Sequence, residues 1–593
     1  MCSTFPGFRP GHHWEVERHR DRPRFSRRLG VLEQRFDIAS RNGGQSDTFA
    51  RLRLTLSGPE GGDSRTTLLA RLLLAWTHVR AKHPLLGASI EDDAGHAVSQ
   101  CPARRFRYEP PSQADALARA RDSFLVARAE RLDARMDEIQ NESILNGERN
   151  LLDESSCLAR LVFIESAESP DDLGFFLVIS HVISDGLSVF KLIAELFSIA
   201  SDPACPTPSL PFDLCDFDDF INRCSAPSAA LTMADRFHEA WRTTLPENEI
   251  LTALPLATED HYPPLPLVAS PPHVHQQPVE VPSPQVFVAS DRENSAPITT
   301  ARKRWVWAIA RTLILARQRR FPHSLHVPRL SPTPPPSTPK SRWEFLRFDR
   351  TTSSKLFQFS KRNGQSPSML LYSMLSLATA KLFATCHPSE PYHPILVGFP
   401  FSARRFLERG PTPSSDPATD LAIRITFGSI HLPNVPLRLD DGDSNTVRAA
   451  VVRSARLAKR QFDHRLAADE LSRTLFLAVA DGLNIDRLLL RHGIERPPWE
   501  DPKTCINASM IGDVDRILPA RYNIDGIDLR LSDLQLGTRL HLGEGNFNEG
   551  FTFDGKLQLS MGVDDQVIDP RHVRTILETV ERIGNLVAEG EHD

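Results

Sequence analysis

Two periods of apolar residues alternate along this 593-residue chain. Thr48–Leu56, TFARLRLTL, switches between apolar and polar positions, as a half-buried strand does. The run that follows, TTLLARLLLAWTHVRAKHP, carries Leu68, Leu72, Leu73, Trp76 and Val79 at helical spacing, and His83-Pro84 stops it. GFFLVIS, from Gly174 to Ser180, is a continuous apolar run that predicts a central strand. LSVFKLIAELFSIA then sets Val189, Leu192, Ile193, Leu196 and Phe197 on one helical face, with Asp185 placed to cap it.

From about residue 201 to 341 the texture changes. PPLPLVASPPHVHQQPVEVPSPQ and LSPTPPPSTPKS are proline-rich and cannot form a packed domain. Between them Ala301–Arg320 is a basic, partly amphipathic helix. A second globular pattern begins at RWEFLRFDR. Ser366–Ala384 predicts a helix, PILVGFPFSARRFL a strand entering a turn, ITFGSIHLP another strand, and CINASMIGDVDRIL a strand and turn. FTFDGKLQLSM predicts a hairpin turning at Asp554-Gly555, and DPRHVRTILETVERIGNLV a closing helix. Both halves share one mixed α/β grammar. The expected organisation is two related lobes, 1–220 and 342–593, joined by a crossover at 221–341.

Bulk numbers narrow the function without choosing it. A net charge of -5 and a pI near 6.5 give no reason to expect a nucleic-acid partner. The eight cysteines are scattered with no C-x-x-C pair, so reduced thiols are expected rather than a disulfide frame or a zinc site. No run reaches the ~18 uninterrupted apolar residues of a spanning helix, and the N-terminus lacks the apolar core of a secretory signal. A cytoplasmic monomer without a resident metal or cofactor is the expectation.

The chemistry gathers at LVISHVISDGLSVF. His181 directly follows the apolar strand, so its backbone is rigidly held. An imidazole is the side chain best matched to moving a proton near neutral pH. Asp185 lies where the chain turns into the helix, able to cap it or to pair with an arginine, and Gly186 lends the turn conformational freedom. The residues alone leave two readings open: a general base, or an ordinary structural histidine.

This H-x-x-x-D-G stretch resembles that of the acyltransferases related to chloramphenicol acetyltransferase. That superfamily includes condensation domains, plant BAHD acyltransferases, trichothecene acetyltransferases and alcohol acetyltransferases. Other stretches agree in order. Arg27–Glu33, RRLGVLE, looks like the opening of the alcohol-acetyltransferase branch, and LLAWTHVRAKHPLLGASI like the early helix and its H-P-x-L. Gly398–Leu407, GFPFSARRFL, resembles the second-lobe strand ending near an arginine. Ser509–Asp515, SMIGDVD, resembles the strand beside the active-site channel.

The resemblance implies two mixed sheets flanked by helices, with an active-site tunnel between the lobes. It implies His181 as general base, acetyl-CoA or another acyl-CoA as co-substrate, and a small-molecule alcohol as acceptor. Ser509 would donate to the oxyanion, unless it is an ordinary strand serine. Asp185 would be architectural and paired with an arginine, Arg28 ahead of Arg404. Several departures matter. Ser180 stands where condensation domains carry a second histidine, the plant D-F-G-W-G loop is absent, and Met510 stands where many relatives have asparagine. The alcohol- or trichothecene-acetyltransferase type therefore fits best. The rivals are a stand-alone condensation enzyme using a carrier-bound donor, and a non-catalytic binding protein of the same fold.

Some signals are set aside. His12-His13 is followed by no Asp-Gly at the right spacing, and GEGNFNEG precedes a hairpin as a loop. No Walker A loop, H-E-x-x-H or G-x-S-x-G appears. The helix at 301–320 admits weak contact with a membrane surface or with coenzyme A phosphates. An inter-lobe helix with a solvated basic face is the plainer reading.

Overall fold

The computed structural model describes residues 13–19, 22–57, 64–93, 104–205, 214–223, 247–261, 309, 327–330, 339–386, 391–407, 416–436, 443–466, 506–541 and 546–590. Apart from Pro255, Pro328 and Pro339, the prolines of the crossover lie outside these residues, as do all of the basic segment except Ile309 and also His12.

Three sheets organise the described chain. The small one joins β1 (Glu15–His19), β2 (Arg22–Arg28), β5 (Arg104–Tyr108) and β4 (Ser89–Asp92) in that order. The first-lobe sheet has seven strands. From one edge they are β14 (Arg521–Ile524), β15 (Ile527–Thr538), β3 (Thr48–Ser57), β8 (Asp172–Ile179), β7 (Ala159–Ser166), β6 (Phe124–Ala129) and β9 (Cys215–Asp216). The second-lobe sheet has six strands: β10 (Ser341–Arg347), β17 (Lys556–Asp564), β16 (Phe547–Phe553), β13 (Ile506–Asp513), β11 (Tyr392–Ser402) and β12 (Ile425–Pro436).

The central strand is apolar because both of its faces are covered. Leu173, Phe175, Leu177 and Ile179 of β8 enter one core with α2 (Ser64–Lys82) and α3 (Gly186–Ser201). Phe176 and Val178 enter a second core with Leu132, Met136 and Trp343. On β3 the alternation has a different cause from simple half-exposure. Leu52 and Leu54 face the first core, while Arg51 and Arg53 are held by carboxylates, Arg51 on Asp137 at 2.6 Å and Arg53 on Asp133 and Asp172.

In the second lobe, α4 (Arg350–Arg362), α5 (Pro367–Cys386), α6 (Ser444–Leu466) and α7 (Pro570–Glu589) pack into the core on one face of the sheet. By length and composition Pro367–Thr385 could cross a membrane, but 72% of it is buried, as the core helix of this lobe. The hairpin of β16 and β17 turns at Asp554-Gly555, both left-handed at φ 51° and 67°, which fits a two-residue turn. Asp515 clamps that turn, accepting from the Asp554 and Gly555 amides at 2.6 and 2.9 Å.

The lobes do not divide where the sequence pattern placed the boundary. Strands β14 and β15 lie within 342–593 yet extend the first-lobe sheet, with β15 antiparallel to β3. Leu529, Leu531, Leu534 and Leu536 bury into the first core, which also takes Phe551 and Phe553 from β16. Trp343 wedges the junction. Its indole N–H donates to the Thr538 carbonyl at 2.9 Å, and its ring lies against Gly537 of β15 and Gly562 of β17. A methyl at Gly537 would sit 2.7 Å from Phe49 and 3.0 Å from Trp343. Gly537→Ala is therefore expected to cost about 1–3 kcal/mol by overpacking. A lowered thermal midpoint would show it, and an unchanged midpoint would show that the wedge is loose.

Candidate functional site

The HVISDG stretch leaves β8 as a tight turn. Ile183 N–H donates to the Ser180 carbonyl at 3.2 Å, and the Ser184 hydroxyl to the same oxygen at 3.0 Å. Val182 and Ile183 enter the core, so the apolar pair anchors the turn while His181 between strand and core is half-buried. The turn ends in a reciprocal cap on α3. Asp185 accepts from the Ser188 amide at 2.8 Å, and the Ser188 hydroxyl accepts from the Asp185 amide at 2.7 Å.

The imidazole is oriented by one short contact, Nδ1 to the Ser184 carbonyl at 2.6 Å. A carbonyl only accepts, so Nδ1 carries the proton and Nε2 of the neutral ring holds a lone pair. Phe36, on α1 (Val31–Arg41), stacks on the ring with centroids 4.1 Å apart. Burial lowers the His181 pKa, more than the Ser184 carbonyl and Asp185 raise it, and His541 lowers it further. The ring is thus held neutral at physiological pH.

Asp185 does not serve His181 directly; it ties the turn to the other half of the chain. Its Oδ2 accepts from Arg404 Nη2 at 2.9 Å and from the Arg424 backbone N–H at 3.0 Å. Arg404 also donates to Asp420 at 2.9 Å, and fully buried Arg424 donates to Asp420 at 2.5 Å. The expected order of the two arginines is reversed. Arg28 pairs with Asp93 at 2.9 Å, because β2 lies in the small sheet, away from the start of α3.

Gly186 has a role other than the expected one. It is not among the glycines with positive φ. It is the first residue of α3, where a methyl would sit 3.1 Å from Ile511 and 3.7 Å from Leu536. The missing side chain makes room for β13, the strand that carries Ser509. Met510 faces the second core, its sulfur 2.4 Å from where a Gly550 methyl would be, so Ser509 lies on the opposite face, toward the first lobe.

Residues not anticipated from sequence complete the surroundings. Thr538, Thr48 and Ile179 form one row across β15, β3 and β8. His181, Ser46 and His541 each lie two or three residues beyond that row, at the same end of the sheet. Ser46 is left-handed at φ 72°, and its hydroxyl meets His541 Nε2 at 2.7 Å. Behind α1, Asp47 is bound by Arg149 at 2.5 Å, and Arg149 by Glu154 at 2.6 Å. The only sequence trace of Asp420 and Arg424 was their i,i+4 spacing; nothing local marks Phe36 or His541. Among the described residues no three His, Cys, Asp or Glu side chains are grouped to hold a metal ion.

Burial alone would raise the Asp185 pKa, but Arg404 and the Ser188 and Arg424 amides more than offset it, and the net shift is downward. With the folded value depressed, the stabilisation is present above the ordinary aspartate range and lost as pH falls through it. Asp185→Ala is expected to cost about 3–5 kcal/mol at neutral pH, as for one partner removed from a buried pair. Denaturation of both proteins should show that gap shrinking in acid.

No protein-family description matches the chain, and no curated protein does. Solved structures match it over nearly its whole length. TRI3 trichothecene 15-O-acetyltransferase from Fusarium sporotrichioides aligns with a TM-score of 0.67 at 13% identity, covering 99% of this chain and 100% of that one. The first condensation domain of the calcium-dependent antibiotic synthetase, in complex with a substrate analogue, aligns at 0.53 and 11%, covering 95% and 96%. The condensation domain from the Monacolin K polyketide synthase MokA aligns at 0.51 and 11%, covering 95% and 97%. Together with the sheet topology, these likenesses establish the fold: two mixed lobes of the chloramphenicol-acetyltransferase-like, condensation-domain type.

Proposed function

We propose that the chain is an acyl-CoA-dependent O-acyltransferase, moving an acetyl group from acetyl-CoA to a hydroxyl of a small alcohol or secondary metabolite. The observation that carries this reading is the His181 imidazole, with Nδ1 bound to a carbonyl at 2.6 Å and Nε2 left as a base. The likeness to a trichothecene 15-O-acetyltransferase, which exceeds that to the two condensation domains, supports acetyl transfer to an oxygen acceptor.

In this mechanism the acceptor hydroxyl gives its proton to His181 Nε2 as its oxygen attacks the thioester carbonyl. The carbonyl electrons move onto oxygen, and Ser509 donates a hydrogen bond to the resulting oxyanion. Collapse breaks the carbon–sulfur bond, and the departing thiolate takes the proton back from the imidazolium. No covalent acyl-enzyme forms, so both substrates must be held together, and the gain comes from positioning and proton transfer. The base is ready at neutral pH because burial lowers its pKa.

His181→Ala is expected to lower free-thiol release from acetyl-CoA by at least ~100-fold with folding intact, using a panel of small alcohols and hydroxylated terpenoids. Turnover unchanged by the substitution would remove His181 as the base. Turnover with a carrier-bound donor and none with acetyl-CoA would replace the free-CoA reading. For the wild type, kcat/KM should rise with pH through a value below the ordinary histidine pKa; a rise above it would contradict the neutral imidazole.

A further inference from the structure

Strand β16 carries a carboxyl group for which the fold itself has no use. Glu549 is 3% exposed, and its Oε2 has no hydrogen-bond partner among the described residues. Burying such a group unpaired is costly, and native proteins rarely do it without a reason.

Its direction follows from the strand. Gly550 faces α5, where an added methyl would meet Met510 and Leu371. Glu549 therefore points the other way, on the same face as Phe547 and Phe551. Phe551 lies 5.5 Å from Phe190 of α3, and Phe547 lies 6.5 Å from Trp343, which hydrogen-bonds Thr538 at the end of β15. Glu549 is thus bracketed between the first turns of α3 and the row of strand ends from which His181 emerges. The register sets Ser509 directly beside it on β13 and Ser560 on β17. Two residues on from Ser509, Ile511 touches Gly186.

We propose that Glu549 anchors the acceptor, hydrogen-bonding an oxygen of an uncharged, largely apolar hydroxylated molecule beside Ser509. The word acceptor rests on the acyl-transfer reading; the binding does not. The class follows from the surroundings. Phe547, Phe551 and Phe190 form an apolar setting in which an ion pair with an ammonium would be expensive to desolvate. A phosphate-bearing ligand would call for a cation beside the carboxyl, and among the described residues no charged group acts on Glu549.

The ionisation state agrees with that choice. Burial pushes the Glu549 pKa up to about 8, with no charged neighbour offsetting it. Among the described residues, Asp185, Lys191 and Glu195 at α3, Asp513 and Asp515 at the end of β13, Lys556 and Asp564 on β17, Tyr372 on α5, and the imidazoles of His181 and His541 are titratable groups on the neighbouring elements, and none contributes to the shift. At neutral pH the group is a carboxylic acid, with one O–H to donate and a carbonyl to accept.

Calorimetric binding of hydroxylated terpenoids tests this, at about pH 6.5 and about pH 9.5, either side of that pKa. The wild type should bind at least one probe about tenfold more tightly at the lower pH. Glu549→Gln keeps a donor and loses no proton, so its affinity should not change with pH. Glu549→Leu should bind weakly at both, with its folded state checked by circular dichroism. Wild-type binding without acyl transfer would count against the acyl-transfer reading and leave the anchor standing. Affinity independent of pH in the wild type, Glu549→Leu binding like the wild type, or no binding by any probe would overturn the anchor.

Discussion

One carboxylate holds the site together. Asp185 Oδ1 closes the cap of α3, and Oδ2 takes Arg404 and the Arg424 backbone from the other half of the chain. A single buried group thus fixes the strand–turn–helix that displays His181 and docks it against the second lobe. Losing the arginine would leave the carboxylate buried without its counter-charge, which is why Asp420 holds both arginines from behind. His181 gains its orientation from the turn's own backbone and its setting from this pair.

The junction between the lobes is more than two finished domains pressed together. Strand β15 extends the first-lobe sheet, Trp343 lies between β15 and β17, and the Phe551 ring packs tilted against Phe190. Interfaces between independent domains are usually modest and polar, and allow relative motion. Here a shared sheet and a shared core resist it. Such a junction would hold His181, Ser509 and Glu549 in one arrangement, as the proposed positioning-based catalysis requires.

Much of the fold was legible in local patterns. The GFFLVIS strand, the helix capped by Asp185 and the Asp554-Gly555 hairpin are set by short-range chemistry: apolar runs, a cap and a turn that needs positive φ. The strand exchange was not legible, because IDLRLSDLQL alternates equally well for either lobe, and only tertiary packing decides which sheet it joins. The same limit applies to partners. Arg28 and Arg404 both sit in suggestive motifs, yet pairing depends on which strand end meets α3. At Gly186 the turn sequence suggests flexibility, but the use of the glycine is space, a property of the neighbour Ile511 rather than of the turn. Glu549 resembles any polar residue beside a strand until its burial is known.

The proposed chemistry depends on an unprotonated Nε2 on a neutral His181. Nitrogen-15 NMR of histidine-labelled protein, with His181→Gln to assign the signal, measures that directly. A neutral ring at pH about 7, protonated on Nδ1, with a titration midpoint below the ordinary histidine value, is the expected result. A ring protonated on Nε2, or an imidazolium at that pH, would contradict it.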